Sequence, residues 1–411
     1  MFGINENINL YLTSVIGSLT IILVFMFSYL LFRKDKYALI SAFLFAIGIT
    51  HISWSRSSVS NIIGLFLMLS IFILQLTYAN SRNTKLNYPI AFIFAYLIQT
   101  RLEYLATLPL IVLIYVSFVK DITKEIKKRD FFLPWLLVVP TLIFYIAQVN
   151  GILLNIANPY IAKTFMQLFI EHLKFFVLGR YQPMILYLFL AIGLVYGIIK
   201  HRKETLSIIM IYFLMLFFYV FYSSYFRVPV WSRFYLLNIV CINLIQGIGV
   251  YVVYKAIINI IKSTKIRKVF SLIVIIFLII IIFKPSYRMI ENGSVIRDYQ
   301  VASIKIPEMA KSVLGKDCVI VASKFGELMF SSGTLFKTIL IPDMIISIRS
   351  ESYNSDKKPS CILYYEGTAC KSPVKEGLSV LQCKMMREEF QLKPLRTKNY
   401  DFGENLYRIK I

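Results

Sequence analysis

Long apolar stretches fill most of the chain before residue 284. Four of them are almost uninterrupted and cover Leu12–Phe32, Ile62–Ala79, Tyr104–Val119 and Val269–Phe283. A helix needs about 20 apolar residues to cross a hydrocarbon core of ~30 Å, and these stretches reach or approach that length. Together with the shorter apolar stretches between them, they predict a polytopic α-helical membrane protein with about ten transmembrane helices.

Composition agrees with this pattern. Of the 411 residues, 58% are hydrophobic and 16% are charged, whereas soluble domains have roughly 25% charged residues. The formal net charge of +23 would suggest a nucleic-acid partner for a soluble chain. Here the basic residues concentrate in short connections between apolar stretches, where they mark the cytoplasmic side. We therefore predict membrane lipids as neighbours and no nucleic acid.

Lys and Arg are concentrated in every second connection. The basic connections contain Arg33, Lys34 and Lys36; Arg82 and Lys85; Lys120, Lys124, Lys127, Lys128 and Arg129; Lys200, Arg202 and Lys203; and Lys255, Lys262, Lys265, Arg267 and Lys268. The intervening connections carry far fewer. This asymmetry assigns the basic connections to the cytoplasm and predicts that both chain ends lie outside the cell membrane.

The apolar pattern ends at Phe283, which predicts a transmembrane domain over residues 1–283 and a soluble domain over 284–411. Short apolar runs predict buried strands in this second part, alternation predicts a final strand at its end, and mixed periodicity predicts some helix within 301–314 and 371–390. The predicted strands cover 318–323, 338–341, 362–365 and 407–411. The pattern indicates a small α/β or α+β domain.

Four of the five cysteines also lie in this domain: Cys318, Cys361, Cys370 and Cys383. Four cysteines allow three complete pairings, and we favour Cys370–Cys383 because it would close a short loop. Structural disulfides form outside the cytosol. The cysteines and the charge pattern therefore independently predict an extracytoplasmic C-terminal domain.

Five arginines occupy the predicted outer connections, where other cations are scarce: Arg56, Arg101, Arg180, Arg227 and Arg233. Arginine suits bidentate contacts with phosphate. Polar neighbours at the second outer connection include His51, Ser55 and Asn61. These residues predict a site for an anionic ligand, such as a lipid phosphate, at the outer leaflet.

Structural interpretations of the same residues stay open. Arg101 and Glu103 could pair with each other, since an unpaired charge at membrane depth is costly. Arg227 and Arg233 could extend to the headgroup level as ordinary surface residues. His51 could equally be a hydrogen-bonded interfacial histidine.

Several segments of the first hundred residues resemble GT-C glycosyltransferases, and most of all the protein O-mannosyltransferase and aminoarabinose transferase branch. The similar features are the Gly-to-aliphatic segment Gly17–Val24, the basic turn after Phe32, the Ser-Arg pair ending His51–Arg56, and Thr100–Glu103. A weaker similarity covers Trp231–Val250. The resemblance implies a transmembrane enzyme with its site on the outer side.

The same resemblance implies the chemistry. Such enzymes transfer a sugar from a polyprenyl-phosphate or polyprenyl-pyrophosphate carrier to a protein, lipid or glycan acceptor. A carboxylate acts as general base, and basic residues, sometimes with a divalent metal such as Mg or Mn, stabilise the leaving phosphate. Carried onto this chain, the phosphate ligands are Arg56, Arg227 and Arg233, with Arg101 and Arg180 as lesser candidates. If the chain is complete, it is either catalytically inactive or uses Glu103 as the base.

The chain also departs from that family. The catalytic acid of the family usually lies in a long first outer loop, and this sequence starts after that loop. Asn61 stands where protein mannosyltransferases carry an aspartate. We therefore expect an N-terminally truncated or split GT-C protein. Two rival classes are a non-catalytic membrane scaffold and a lipid-linked-sugar transporter, which would show inverted repeats and charges at mid-membrane.

Overall fold

A computed structural model describes residues 6–55, 61–100, 102–143, 165–170, 183–225 and 235–261, with isolated positions between 263 and 280. In the C-terminal part it describes 318–322, 338–340, 361–365, 378–394, 396–397, 400–401 and 406–410. The chain divides into two compact units. One covers Asn7–Met289 and the other includes Ile290–Ile411.

The first unit, called the helical unit below, consists of α-helices joined by short connections. The described helices are α1 (Glu6–Phe32), α2 (Asp35–Ala46), α3 (Ile49–Ser55), α4 (Asn61–Ser81), α5 (Asn87–Thr100), α6 (Thr107–Phe118), α7 (Ile122–Ile126), α8 (Arg129–Phe132), α9 (Met184–Lys200), α10 (Arg202–Tyr225) and α11 (Leu236–Ile260). Short 3-10 helices cover Thr84–Leu86, Leu102–Ala106 and Leu133–Leu137.

Among the described residues, four helices are long and apolar enough to cross a membrane: Tyr11–Phe32, Asn61–Ser81, Arg202–Phe221 and Leu236–Ile260. Two shorter apolar helices cover Tyr104–Phe118 and Met184–Lys200. The predicted class, a helical membrane protein, is therefore confirmed. The predicted total of about ten spans stays a prediction, since segments such as 144–164 lie outside the description.

Two of the long helices end at an arginine with a left-handed backbone. Arg33 has φ 52° and Arg82 has φ 57°. Each donates its backbone N–H over 2.8 Å to a carbonyl four residues earlier, Tyr29 O and Tyr78 O respectively. This hydrogen bond closes the last turn of α1 and of α4. A cation at a helix C-terminus also complements the helix dipole, so the basic turns act as helix stops.

Glycines allow α9 and α11 to approach each other closely. A Cβ added to Gly249 would lie 2.7 Å from the backbone carbon of Phe189 and 3.0 Å from the backbone N of Gly193. Packing of this kind through small residues is typical of helices associated within a membrane. Gly247, on the same helix, lies against Ser41 of α2.

Buried amide side chains connect the same helices through backbone carbonyls. Gln75 of α4 donates to Ile111 O of α6 over 3.0 Å. Asn238 of α11 donates to Tyr212 O of α10 over 2.9 Å, and Gln246 of α11 reaches Leu186 O over 3.1 Å. In an apolar environment without water, such polar groups need partners inside the protein. These bonds therefore specify which helices are neighbours.

The C-terminal unit contains a mixed β-sheet and one described α-helix. The strands are β1 (Cys318–Ala322), β2 (Thr338–Leu340), β3 (Cys361–Tyr365), β4 (Gln391–Pro394), β5 (Arg396–Thr397), β6 (Tyr400–Asp401) and β7 (Leu406–Lys410), and the helix is α12 (Leu378–Glu389). The sheet order is β2-β1-β3-β7-β4, and β5 pairs with β6. β1 is parallel to β2 and β3, whereas β7 is antiparallel to β3 and β4. The predicted strands at 318–323, 338–341, 362–365 and 407–411 are thus found.

Cys383 of α12 is buried and takes part in a disulfide bond. The partner that we predicted, Cys370, lies outside the described residues, so the pairing Cys370–Cys383 stays a prediction. Cys241 is a buried free thiol in α11.

Candidate functional site

Side-chain contacts bring the basic connections together at one end of the helical unit, called the basic end below. The Arg82 guanidinium donates to Lys120 O over 2.8 Å, which joins the connection after α4 to the connection after α6. Lys203 Nζ lies 5.2 Å from the Phe118 ring centre and adds the connection between α9 and α10.

Aromatic rings attach the remaining two basic connections. The His201 ring lies 5.6 Å from Phe32 and 5.8 Å from Tyr37, which places the turn after α1 beside the turn after α9. Tyr37 lies 5.1 Å from Tyr251, near the last turns of α11. The described helices therefore run alternately between two ends. Four basic connections, and Lys255 as the described basic residue of the fifth, lie at one of them.

The exposed charged side chains at the basic end are predominantly cationic. The exposed basic residues are Arg33, Lys34, Lys36, Lys85, Lys120, Lys124, Lys127, Lys128, Arg129, Lys200, Arg202, Lys203 and Lys255. The exposed acidic residues in the same described connections are Asp35, Asp121 and Asp130. Positive potential is therefore concentrated at this end.

Glu125 is the buried acid of the basic end. Its carboxylate accepts a hydrogen bond of 2.7 Å from Tyr78 Oη and two of 2.9 Å from Lys128 Nζ. The Arg82 guanidinium lies 4.0 Å away. The hydrogen bond from Lys128, and after it that from Tyr78, lowers the pKa of Glu125. Glu125 is absent from the predicted site, although its spacing to Lys128 is typical of a helical ion pair.

The opposite end, called the polar end below, collects the described polar residues of the predicted outer connections. Ser14 of α1 donates to Ser55 O over 3.0 Å. His51 Nε2 lies 3.1 Å from Gly17 O, and Nδ1 lies 3.3 Å from Ala46 O. The rest of this end includes Asn61, buried at the start of α4, and Tyr104, which lies against Gly64.

His51 connects α1 to the segment that joins α2 and α3. Both ring nitrogens face backbone carbonyl oxygens, and both positions therefore call for a donor. A neutral imidazole donates through one nitrogen only, whereas an imidazolium donates through both. Proton transfer by His51 would require one of these contacts to open. The arrangement is that of a bridging side chain.

Ser55 is one of the described residues at the polar end with a buried polar atom that lacks a hydrogen bond, as is Thr107 at the start of α6. The Ser55 hydroxyl is buried and has no hydrogen-bond partner among the described residues. Gly17 makes room for it, because a Cβ at Gly17 would lie 2.6 Å from Ser55 Cβ. A buried hydroxyl without a partner costs free energy unless a ligand or water satisfies it.

The structure places part of the predicted site. His51, Ser55 and Asn61 are buried at the polar end, and Glu103 lies within the 3-10 helix Leu102–Ala106. Five predicted phosphate ligands lie outside the described residues: Arg56, Arg101, Arg180, Arg227 and Arg233. Nothing in the description brings these arginines together or separates them.

A metal site does not emerge from the described residues. Among them, no group of three His, Cys, Asp or Glu side chains lies close enough to hold a metal ion. A divalent metal such as Mg or Mn, which the family resemblance implied, stays a prediction.

No model of a known protein family matches the sequence, and a comparison with curated proteins also finds no match. The fold therefore defines the class, a helical membrane protein. Its two ends differ in charge and in burial of polar groups, and the polar end is the candidate functional site.

Proposed function

We propose that this chain is a polytopic GT-C-type membrane glycosyltransferase with ten spans. It takes a sugar from a polyprenyl-phosphate or polyprenyl-pyrophosphate carrier at the outer leaflet and transfers it to a protein, lipid or glycan acceptor. The basic end faces the cytoplasm, and the polar end and the C-terminal unit face outward in the cell membrane. The separation of the two ends supports this orientation, and the resemblance of Gly17–Val24, His51–Arg56 and Thr100–Glu103 to GT-C enzymes supports the activity.

Contacts at the polar end support the location of the donor site. Ser55, which precedes Arg56 in sequence, lies against α1 at this end. Leu102, which follows Arg101, begins the 3-10 helix that holds Tyr104 against Gly64. Arginines at this end would bind a lipid phosphate through bidentate hydrogen bonds.

The disulfide of Cys383 supports the location of the C-terminal unit. Disulfides persist in oxidising compartments and are rare in the cytosol. The orientation with the basic connections inside, which follows from the positive-inside rule, requires the same location if ten helices cross the membrane.

The proposed reaction needs a general base and cationic side chains that stabilise the leaving phosphate. The Glu103 carboxylate accepts the proton of an acceptor hydroxyl, whose oxygen forms a bond to the anomeric carbon of the sugar. The bond from that carbon to the carrier phosphate breaks, and the electron pair leaves on the phosphate oxygen. Arg56, Arg227 and Arg233 stabilise the resulting negative charge.

Binding of polyprenyl phosphate to the purified full chain in nanodiscs tests the donor site. We expect Arg56→Ala and Arg233→Ala each to weaken binding about tenfold or more, since a hydrogen bond to a charged group contributes roughly 1.5–3 kcal/mol. Lys255→Ala, at the basic end, is the matched control and should bind like the wild type. Unchanged binding in both arginine variants would refute the assignment.

Turnover separates the enzyme from a binding scaffold or transporter. Membranes containing the wild-type chain should convert polyprenyl-phosphate-linked sugar to free polyprenyl phosphate when an acceptor is present. Glu103→Gln should abolish this conversion while leaving binding of polyprenyl phosphate intact. Donor binding without any turnover of a panel of linked sugars would contradict the enzyme and favour the scaffold or transporter.

A further inference from the structure

We propose that residues 120–137, at the basic end, form a membrane-surface element that binds anionic lipid headgroups of the adjacent leaflet. This segment contains α7, α8 and the 3-10 helix Leu133–Leu137. The proposal requires that the helical unit lie in a membrane, but it does not depend on the proposed transfer activity or on the polar end.

The charge of this element favours an anionic partner. Lys120, Lys124, Lys127 and Arg129 are exposed. The carboxylate of Glu125 is turned inward and compensated by Lys128 at 2.9 Å, so it does not cancel the exposed cations. The exposed acids here are Asp121 and Asp130. Each Lys or Arg held near an anionic leaflet adds to binding.

Apolar side chains are exposed between these cations. Phe132 is 55% exposed, Leu136 62% and Ile126 38%. A short segment with exposed apolar groups beside lysines is typical of an element that lies in the interface between headgroups and acyl chains. A water-soluble anion would satisfy the lysines and arginine but would leave the apolar side chains in water.

Contacts on the inner side hold the element in one orientation. Glu125 accepts from Tyr78 Oη over 2.7 Å. Phe131 is buried, with its ring 5.3 Å from that of Tyr115, and Trp135 lies 5.9 Å from Phe94. Because these residues are anchored on the helical unit, their neighbours Phe132 and Leu136 are held outward. The packing of the helical unit therefore fixes which side chains of this element are exposed.

Lipid retention by the full-length chain tests the proposal. Detergent-solubilised protein would be titrated with dioleoyl phosphatidylglycerol or dioleoyl phosphatidylcholine, and bound lipid counted by native mass spectrometry. We expect preference for phosphatidylglycerol. Lys124→Gln/Lys127→Gln/Arg129→Gln should weaken its binding about tenfold or more, because three cations near the leaflet are lost. Phe132→Ser/Leu136→Ser should also weaken it, with the charge unchanged.

The control removes three cations from the C-terminal unit: Lys384→Gln/Arg387→Gln/Lys393→Gln. It should retain lipid like the wild type. Equal loss in this control, or no preference of the wild type for phosphatidylglycerol, overturns the proposal. Displacement of the lipid by glycerol phosphate would also overturn it, since the ligand would then be a soluble anion. If the basic variant fails to fold, retention of phosphatidylglycerol by the wild-type chain is measured at about 0.5 M salt, which screens exposed charges. Retention should fall, and unchanged retention would overturn the proposal.

Discussion

Glu125 holds three parts of the basic end through a single carboxylate. It accepts from Tyr78 on α4 and from Lys128 beside α7, and Arg82 lies within 4.0 Å. Glu125→Gln keeps an acceptor for Tyr78 but removes the charge that Lys128 and Arg82 face. We expect a loss of roughly 1–3 kcal/mol of stability, the range for a buried polar group that loses its partner. The apparent melting temperature of the purified chain measures it, and Asp121→Asn is the control with an exposed acid.

Glu125 should also make the stability of the chain depend on pH. In the folded chain the pKa of Glu125 is lowered, first by the hydrogen bond from Lys128 and second by the hydrogen bond from Tyr78. Stability from this group is therefore fully present above the pKa it has in the unfolded chain, and is lost as pH falls through its folded pKa. Melting curves between neutral and strongly acidic pH should show that loss in the wild type. A Glu125→Gln chain with the same acid slope as the wild type would contradict this assignment.

Gly17 is required at the polar end by the side chain of Ser55. A Cβ at Gly17 would lie 2.6 Å from Ser55 Cβ, which is too close for real side chains. We expect Gly17→Ala to destabilise the chain by about 1–3 kcal/mol, as overpacking does. Gly17→Ala/Ser55→Gly should restore most of the melting temperature. Absence of rescue in the double variant would argue against direct contact between α1 and α3.

At the scale of elements, the contact between α9 and α11 has a different character. The atoms that a Cβ at Gly249 would meet belong to the backbone of Phe189 and Gly193. Gly249→Ala must therefore push the two helices apart, and no side-chain truncation can relieve it. We expect a larger loss of melting temperature than for Gly17→Ala, without rescue by Phe189→Ala. Equal stability of Gly249→Ala and the wild type would show that the helices are farther apart than described.

The C-terminal unit gives a second prediction at the element scale. Cys383 is disulfide-bonded, and a bond that closes a loop of about 15 residues stabilises by roughly 3 kcal/mol. If Cys370 is its partner, Cys370→Ser and Cys383→Ser should destabilise equally, and the double variant should be no worse. Peptide mapping without reductant should recover the linked pair. Recovery of Cys383 linked to Cys318 or Cys361 would replace that pairing.

The whole molecule is oriented by its charge, and labelling of single introduced cysteines tests this. Lys127 is exposed at the basic end, and Met184 is exposed at the other end of α9. In intact cells, a membrane-impermeant maleimide should label Met184→Cys above the level of the parent chain. Lys127→Cys should reach that level only after permeabilisation, because basic connections stay in the cytoplasm. The reverse pattern would invert the proposed topology.

The hydropathy pattern along the chain was enough to predict the class of this protein. Runs of apolar residues specify helices in an apolar solvent because every backbone polar group must be satisfied within the segment. For the same reason, the apolar runs Leu12–Phe32 and Ile62–Ala79 predicted α1 and α4 directly. The strands of the C-terminal unit were predictable because a short apolar run, or alternation as in 407–411, is a local signal. The basic connections could also be assigned to one side of the membrane, because every second connection along the chain is rich in Lys and Arg.

Which residues come into contact depends on how the helices pack. Gln75 and Ile111, or Gly249 and Phe189, are far apart in sequence, and no local pattern specifies their pairing. Glu125 lies in a lysine-rich connection, and the sequence does not show that its carboxylate points inward to Tyr78. At the polar end, the sequence marked His51, Ser55 and Asn61 as polar interruptions of apolar stretches. It could not show that both nitrogens of His51 face backbone carbonyls, because that contact depends on how α1 packs against the segment joining α2 and α3.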